Sequence, residues 1–125
     1  MKRFVTYQYR GTDYRMIFNL YAMEQIEDEF GSMKNALAEL EKGKQFRALR
    51  KMFRFLGNGA LVEQDQEPTL TGDEILKADL KEMARLSDAV KACFALGRKT
   101  ETEAGEAGSD EKRELFEDEE DEKNG

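Results

Sequence analysis

Residues 5–9 and 14–18 carry an apolar side chain at every second position. The apolar members are Val5, Tyr7, Tyr9, Tyr14, Met16 and Phe18. This period, together with the aromatic enrichment, is typical of β-strands, and Gly11 within residues 10–13 can adopt the positive φ of a tight turn. We therefore predict an N-terminal β-hairpin. Because a lone hairpin is marginally stable in water, it should pack on helices or pair with another chain.

From residue 19 onward the apolar spacing changes to three and four, which predicts helices. We expect the first from the cap Asn19 to Gly31, the second from the cap Ser32 to Gly43, and the third over residues 44–56. The stripes that should face the core are Leu20, Met23, Ile26 and Phe30; Met33, Leu37 and Leu40; and Phe46, Leu49, Phe53 and Leu56. Residues 57–59, Gly-Asn-Gly, should break the third helix.

A loop containing the only proline is predicted over residues 60–70. The segment from Thr71 to Glu74 has the capping-box pattern, with a hydroxyl first and a glutamate three residues later, so it should open the longest helix. That helix should carry Leu76, Leu80, Met83, Val90 and Phe94 on one face, with Leu86 and Cys93 beside it. Gly97 should end it.

The charge divides the chain into two parts. Residues 1–97 carry 15 basic and 15 acidic side chains, whereas residues 98–125 carry 5 and 12, so the net charge of −7 lies in the second part. We predict a mainly α domain with a short N-terminal β-hairpin (an α+β fold) over residues 1–97. Residues 98–125 hold almost no apolar side chains besides Leu115 and Phe116, which predicts a disordered acidic tail.

The composition argues against an enzyme. Histidine is absent, which removes the usual general base and the commonest metal ligand. Cys93 lacks a second cysteine for a disulfide and lies in an apolar stripe, so it should be a core residue of a protein kept in a reducing cytoplasm. No glycine pattern suits a nucleotide phosphate. We expect no catalytic residue, metal or cofactor. Because the chain has no long apolar run, we predict that it has neither a secretory signal nor a membrane-spanning helix.

A basic cluster is the main candidate for binding a partner. Its members are Lys42, Lys44, Arg47, Arg50, Lys51 and Arg54, with no acidic residue between them. Three interpretations stay open: a solvated outer face, an acceptor for the acidic first helix or the acidic tail, and phosphate contact with nucleic acid. The third is disfavoured because residues 1–97 have no net charge and the tail would compete for the same cations.

The segment from Tyr14 to Leu40 resembles the tail assembly chaperones of long-tailed bacteriophages and of related gene-transfer particles. In that family a short strand pair leads to an amphipathic helix with a Glu-rich end and a Phe-Gly-Ser-like break before a second helix. Residues 26–32 here, Ile-Glu-Asp-Glu-Phe-Gly-Ser, match that break. The resemblance covers about the first 55 residues, and the rest of the chain only in character. The strongly acidic tail departs from it.

The resemblance implies a non-catalytic phage or prophage protein that acts in the host bacterial cytoplasm and is not part of the mature virion. It further implies two partners, the long helical tape-measure protein and the tail-tube protein. For contact we select Arg47, Arg50, Lys51 and Arg54 with the aromatic hairpin residues Tyr7 and Tyr9, and the hairpin edge could support self-association. The alternative, from another class, is an acidic adaptor or DNA mimic that binds a basic host protein.

Overall fold

The predicted hairpin opens the structure. A computed structural model describes residues 4–41 and 45–104, with side chains as far as residue 98. Strands β1 (Val5–Tyr9) and β2 (Thr12–Met16) pair antiparallel, with Tyr7 opposite Tyr14. Arg10 and Gly11, with φ of 50° and 81°, form the whole turn. Positive φ at both positions fits a two-residue hairpin turn, which is shorter than the predicted four-residue connection.

The first two helices begin at the residues that the sequence predicts. Helix α1 (Leu20–Phe30) is capped by Asn19, whose side chain accepts a hydrogen bond from the Ala22 amide at 3.1 Å. Gly31 ends it with a φ of 91°. Helix α2 (Met33–Leu40) is capped by Ser32. Residue 43, the predicted end of α2, lies outside the described residues.

The predicted stripes of α1 and α2 are only partly right. Ile26 and Leu40 are buried as expected, but so are the small residues Ala22 and Ala36. Leu20 is 65% exposed, so it lies outside the core. Ala22 lies against Gly59 of α3, where an added Cβ would be 3.3 Å from the Ala22 methyl group.

The predicted break at residues 57–59 is wrong. Helix α3 runs without interruption from Phe46 to Glu63, and all three residues are buried within it. A Cβ at Gly57 would clash with the Leu70 side chain, and one at Gly59 would lie 2.7 Å from Asn19 Oδ1 and 3.2 Å from the Ile17 carbonyl. The glycines therefore make room for neighbouring chain segments and do not end the helix.

Asn58 between them fixes the loop that follows α3. Its side chain donates from Nδ2 to the Leu70 carbonyl at 3.0 Å and accepts at Oδ1 from the Leu70 amide at 2.8 Å. A side-chain amide that satisfies both backbone groups of one residue replaces a pair of sheet hydrogen bonds. Leu70 is thereby held against the bare helix surface at Gly57.

The last helix starts later and ends later than predicted. Only half of the predicted capping box forms: the Thr71 amide donates to Glu74 Oε2 at 3.1 Å, but the Thr71 hydroxyl accepts from the Asp73 amide. The segment opens only one 3₁₀ turn, Asp73–Ile75. Helix α4 (Leu80–Ala104) begins after Asp79, whose side chain accepts from the Glu82 amide at 2.9 Å.

Gly97 does not end α4. A Cβ at Gly97 would lie 2.5 Å from the Phe18 ring, so this glycine too marks a close contact. The helix continues past residue 98, where we predicted the acidic tail to begin, as far as Ala104. The remainder of the predicted tail, residues 105–125, lies outside the described residues.

Helix α3 lies at the centre of the described structure and packs against β2, α1, α2 and α4. Strand β1 completes the arrangement by packing on α4. The largest fully buried side chains are Tyr7, Phe53, Met16, Ile26, Leu49, Met52, Leu56, Leu86, Val90 and Cys93. The predicted α+β class, mainly helical with an N-terminal hairpin, is confirmed.

We expect Asn58→Ala to lower the free energy of unfolding by about 1–3 kcal/mol, because it leaves the backbone groups of Leu70 without these partners. Gln66→Ala is the matched control, since this exposed side chain lies in the same connection and should change stability by less than about 0.5 kcal/mol. Urea denaturation measures both. Equal, small effects would mean that the Asn58–Leu70 pair does not hold the loop.

Candidate partner-binding surface

The predicted basic side chains lie on one exposed side of α3. Because successive residues of a helix turn by about 100°, Arg47, Arg50 and Arg54 project from the same side, and Lys51 lies at its border with α1. Arg47 and Arg54 are exposed, whereas Arg50 and Lys51 are half-buried. Residues 42 and 44, the two predicted lysines before this helix, lie outside the described residues.

Two of the four cations are already paired within the chain. Arg50 Nη1 lies 3.4 Å from Asp73 Oδ1, and Lys51 Nζ pairs with Glu29 at the end of α1. One of the three interpretations placed the acidic first helix against this cluster, and Lys51 fits it. Both pairs are solvent-accessible, so each adds at most about 1 kcal/mol to stability.

Arg47 and Arg54 differ from them. Among the residues that the structure describes, neither is in an ion pair with a carboxylate, and the Arg54 guanidinium lies 6.0 Å from the centre of the Phe55 ring. Of the four described cations of the cluster, these two are therefore not engaged by a described carboxylate.

An apolar groove that the sequence did not predict adjoins Arg47. Phe46, Leu76 and Leu80, which we expected in the core, are 48%, 59% and 73% exposed. They line a hollow of about 570 Å³ between the start of α3 and the segment leading into α4. Its other lining residues are Arg47, Arg50, Ile75, Ala78, Asp79 and Met83. We call this hollow the Phe46 groove.

A second hollow lies on the other side of Phe46. It measures about 470 Å³ and is lined by Phe30, Glu39, Phe46, Arg47, Ala48 and Lys51. Phe46 and Arg47 belong to both hollows and form a ridge between them. An exposed aromatic ring beside an arginine that pairs with no carboxylate in the described part of the chain has the composition that is enriched at protein interfaces.

Tyr7 and Tyr9, the other residues predicted to contact a partner, are buried. The Tyr7 hydroxyl donates to Glu82 Oε1 at 3.2 Å, and burial and then the Glu82 charge raise the pKa of Tyr7 to about 12. The Arg85 guanidinium lies 5.2 Å from the Tyr7 ring centre. These contacts place both tyrosines in the interface between hairpin and helices, so they form no exposed surface. Self-association through the hairpin edge stays a prediction.

The position of the Tyr9 hydroxyl is unfavourable for the stability of the fold. Its hydroxyl is buried and has no hydrogen-bond partner among the described residues. An unpaired buried hydroxyl costs on the order of 1–3 kcal/mol. Stacking with Tyr7, at 6.2 Å between ring centres, and the cation of Arg10 at 5.7 Å offset part of this cost.

Cys93 is a core residue, as predicted. The side chain is buried in α4, and burial raises the pKa of its thiol to about 12. A thiol with so high a pKa is a poor nucleophile at neutral pH.

Two further features concern only residues 4–41 and 45–104. No group of three or more cysteine, aspartate and glutamate side chains there is arranged to hold a metal ion. No helix there combines the length and apolar character needed to cross a bilayer.

Comparison of the chain with family models, curated proteins and solved structures finds no match.

Phe46 and Phe53 form a matched pair on α3, one exposed and one fully buried. We expect Phe53→Ala to lower the free energy of unfolding by about 3–5 kcal/mol, because it leaves a cavity beneath Tyr7 and Tyr14. Phe46→Ala should cost about 1 kcal/mol or less. Chemical denaturation of the two variants provides the test. A large loss for Phe46→Ala would place this ring in the core.

Proposed function

We propose that this chain is a phage or prophage tail assembly chaperone that binds a helical segment of the tape-measure protein at the Phe46 groove. The observation that carries the proposal is the exposed apolar groove beside Arg47. It is supported by the resemblance of residues 14–40 to the chaperone family. Recruitment of tail-tube subunits, action in the host cytoplasm and absence from the mature virion belong to the same proposal.

The groove suits an amphipathic helix. Such a helix places apolar side chains at positions i, i+3, i+4 and i+7 into an apolar groove and leaves its polar face in solvent. Phe46, Leu76 and Leu80 offer the apolar contact, and covering them removes water from surface that is otherwise exposed. Arg47 at the rim would orient an acidic helix and raise the association rate more than the affinity.

The alternative, an acidic adaptor or DNA mimic, draws on the 12 acidic side chains of residues 98–125. Gene position discriminates the two. A neighbouring very long reading frame of helical character, between a tail-tube gene and later tail genes, favours the chaperone. An isolated early gene favours the mimic.

The binding test uses the full chain and the long helical protein encoded beside it, co-expressed and then titrated. We expect Phe46→Ala and Arg47→Glu each to weaken binding about tenfold, which corresponds to about 1.4 kcal/mol. The Phe46→Ala effect should not depend on salt. The Arg47→Glu effect should shrink at 1 M salt, where the screening length falls to about 3 Å.

Lys91→Glu is the matched control for charge, because Lys91 is an exposed lysine on α4 that does not line the groove. It should leave binding unchanged. Equal weakening by Lys91→Glu and Arg47→Glu would mean that net charge decides the affinity. If neither Phe46→Ala nor Arg47→Glu weakens binding, the groove is not the client site.

A further inference from the structure

The Phe46 groove has the chemistry to bind an acidic peptide with large apolar side chains. Its floor is apolar, and Arg47 at its rim is in no described ion pair. The N-terminus of α4, which carries the positive end of the helix dipole, also opens onto it. The one carboxylate in the lining, Asp79, is already engaged as the cap of α4. A peptide with an apolar pair flanked by carboxylates therefore offers apolar contact to the floor of the groove and negative charge to Arg47 and to the N-terminus of α4.

Such a peptide occurs in this chain beyond α4. Leu115 and Phe116 are the only large apolar side chains of residues 98–125, and Glu114 and Glu117 flank them. We propose that Leu115 and Phe116 occupy the Phe46 groove of their own chain when no partner is bound. The inference needs only the groove and stands whether or not the tape-measure protein is the client.

The chain is long enough for this contact, with little to spare. From Ala104 back to Met83 along α4 is 21 residues, or about 32 Å at 1.5 Å per residue. The 11 residues from Ala104 to Leu115 reach at most about 36–40 Å when extended. The tail must therefore run back along α4 nearly extended, which limits the apolar pair to the part of the groove near Met83.

This arrangement makes the tail a competitor of any partner at the groove. Tethering makes the contact intramolecular, but a span of about 32 Å exceeds the relaxed length of 11 residues, about 17–20 Å, so the effective concentration lies below its maximum and the contact must offset the stretching of the tether. A partner must then displace the tail, and the tail keeps the apolar groove covered until that happens.

Cys93 allows a direct test in the full chain. Because its thiol is buried and its pKa is raised, a cysteine introduced by Lys112→Cys can be spin-labelled selectively at neutral pH. In the ¹⁵N-labelled protein, without any partner, we expect the label to reduce the amide peak intensities of Leu76, Leu80 and Met83. Amides on α2, such as that of Asn35, should keep theirs. The reduced, diamagnetic label provides the reference.

Two variants in the labelled background test the two parts of the contact. Leu115→Ser together with Phe116→Ser keeps all tail charges and should restore the groove intensities. Arg47→Glu should restore them in part, whereas Lys34→Glu, which reverses an exposed charge on α2 away from the path of the tail, should not. Full intensity in the unsubstituted labelled chain overturns the proposal. Persistent loss in the double-serine variant also overturns it, because the contact would then be electrostatic only.

The length of the segment between Ala104 and Leu115 provides an independent test. Deleting residues 105–109 removes one acidic side chain and leaves five residues between Ala104 and Leu115, so the six residue steps from Ala104 to Leu115 reach about 20–22 Å. The loss of intensity at Leu80 and Met83 should then disappear. Mixing spin-labelled unenriched chain with unlabelled ¹⁵N chain tests for contact between copies. Equal loss in that mixture would assign the groove to a second copy and overturn the proposal.

Discussion

The structure depends on the close approach of two extended segments to the backbone of α3 at residues 57–59. On one side the Ile17 amide donates to the Leu56 carbonyl at 3.2 Å, which fixes the exit of the hairpin. On the other side Asn58 holds the backbone of Leu70. The loop anchored at Leu70 leads into the 3₁₀ turn and the start of α4, so the same contact sets where Leu76 and Leu80 lie relative to Phe46. The Phe46 groove is a consequence of this anchor.

Local signals predicted the parts of the fold that local chemistry decides. The hairpin follows from strict alternation, and the Asn19 and Ser32 caps follow from side chains that accept amide hydrogen bonds within three residues. Residues 57–59 were misread because each mid-helix glycine costs about 1 kcal/mol relative to alanine, which taken alone predicts a break. Burial of neighbouring segments outweighs that cost here. A single sequence does not contain this information, since the partners Asn19 and Leu70 are distant in the chain.

Only part of the candidate surface was predicted from the sequence: the exposed arginines were predicted, and the Phe46 groove was not. Helical periodicity correctly placed Arg47 and Arg54 in solvent. The groove was missed because Thr71 and Asp79 both have cap chemistry, and the sequence does not say which of them starts α4. Choosing Asp79 places Leu76 before the helix and Leu80 at its first turn, where neither faces the core. Tyr7, which we expected on a contact surface, is buried for a related reason: alternation identifies one face of a hairpin as apolar, but not whether helices cover it.

The four described cations around the Phe46–Arg47 ridge fall into two groups, those paired with a carboxylate of the described chain and those that are not. Arg50 pairs with Asp73 of the 3₁₀ turn, and Lys51 pairs with Glu29 of α1, so both side chains connect α3 to neighbouring elements of the fold. Arg47 and Arg54 have no such carboxylate among the described residues. Three large apolar side chains at the groove remain 48–73% exposed, although burying the exposed part of each would add about 1–2 kcal/mol to stability. In the proposed function this exposed apolar surface is covered by the occupant of the groove. The apolar side chains would then supply the affinity, and Arg47, which lines both hollows, would set the direction in which the occupant lies.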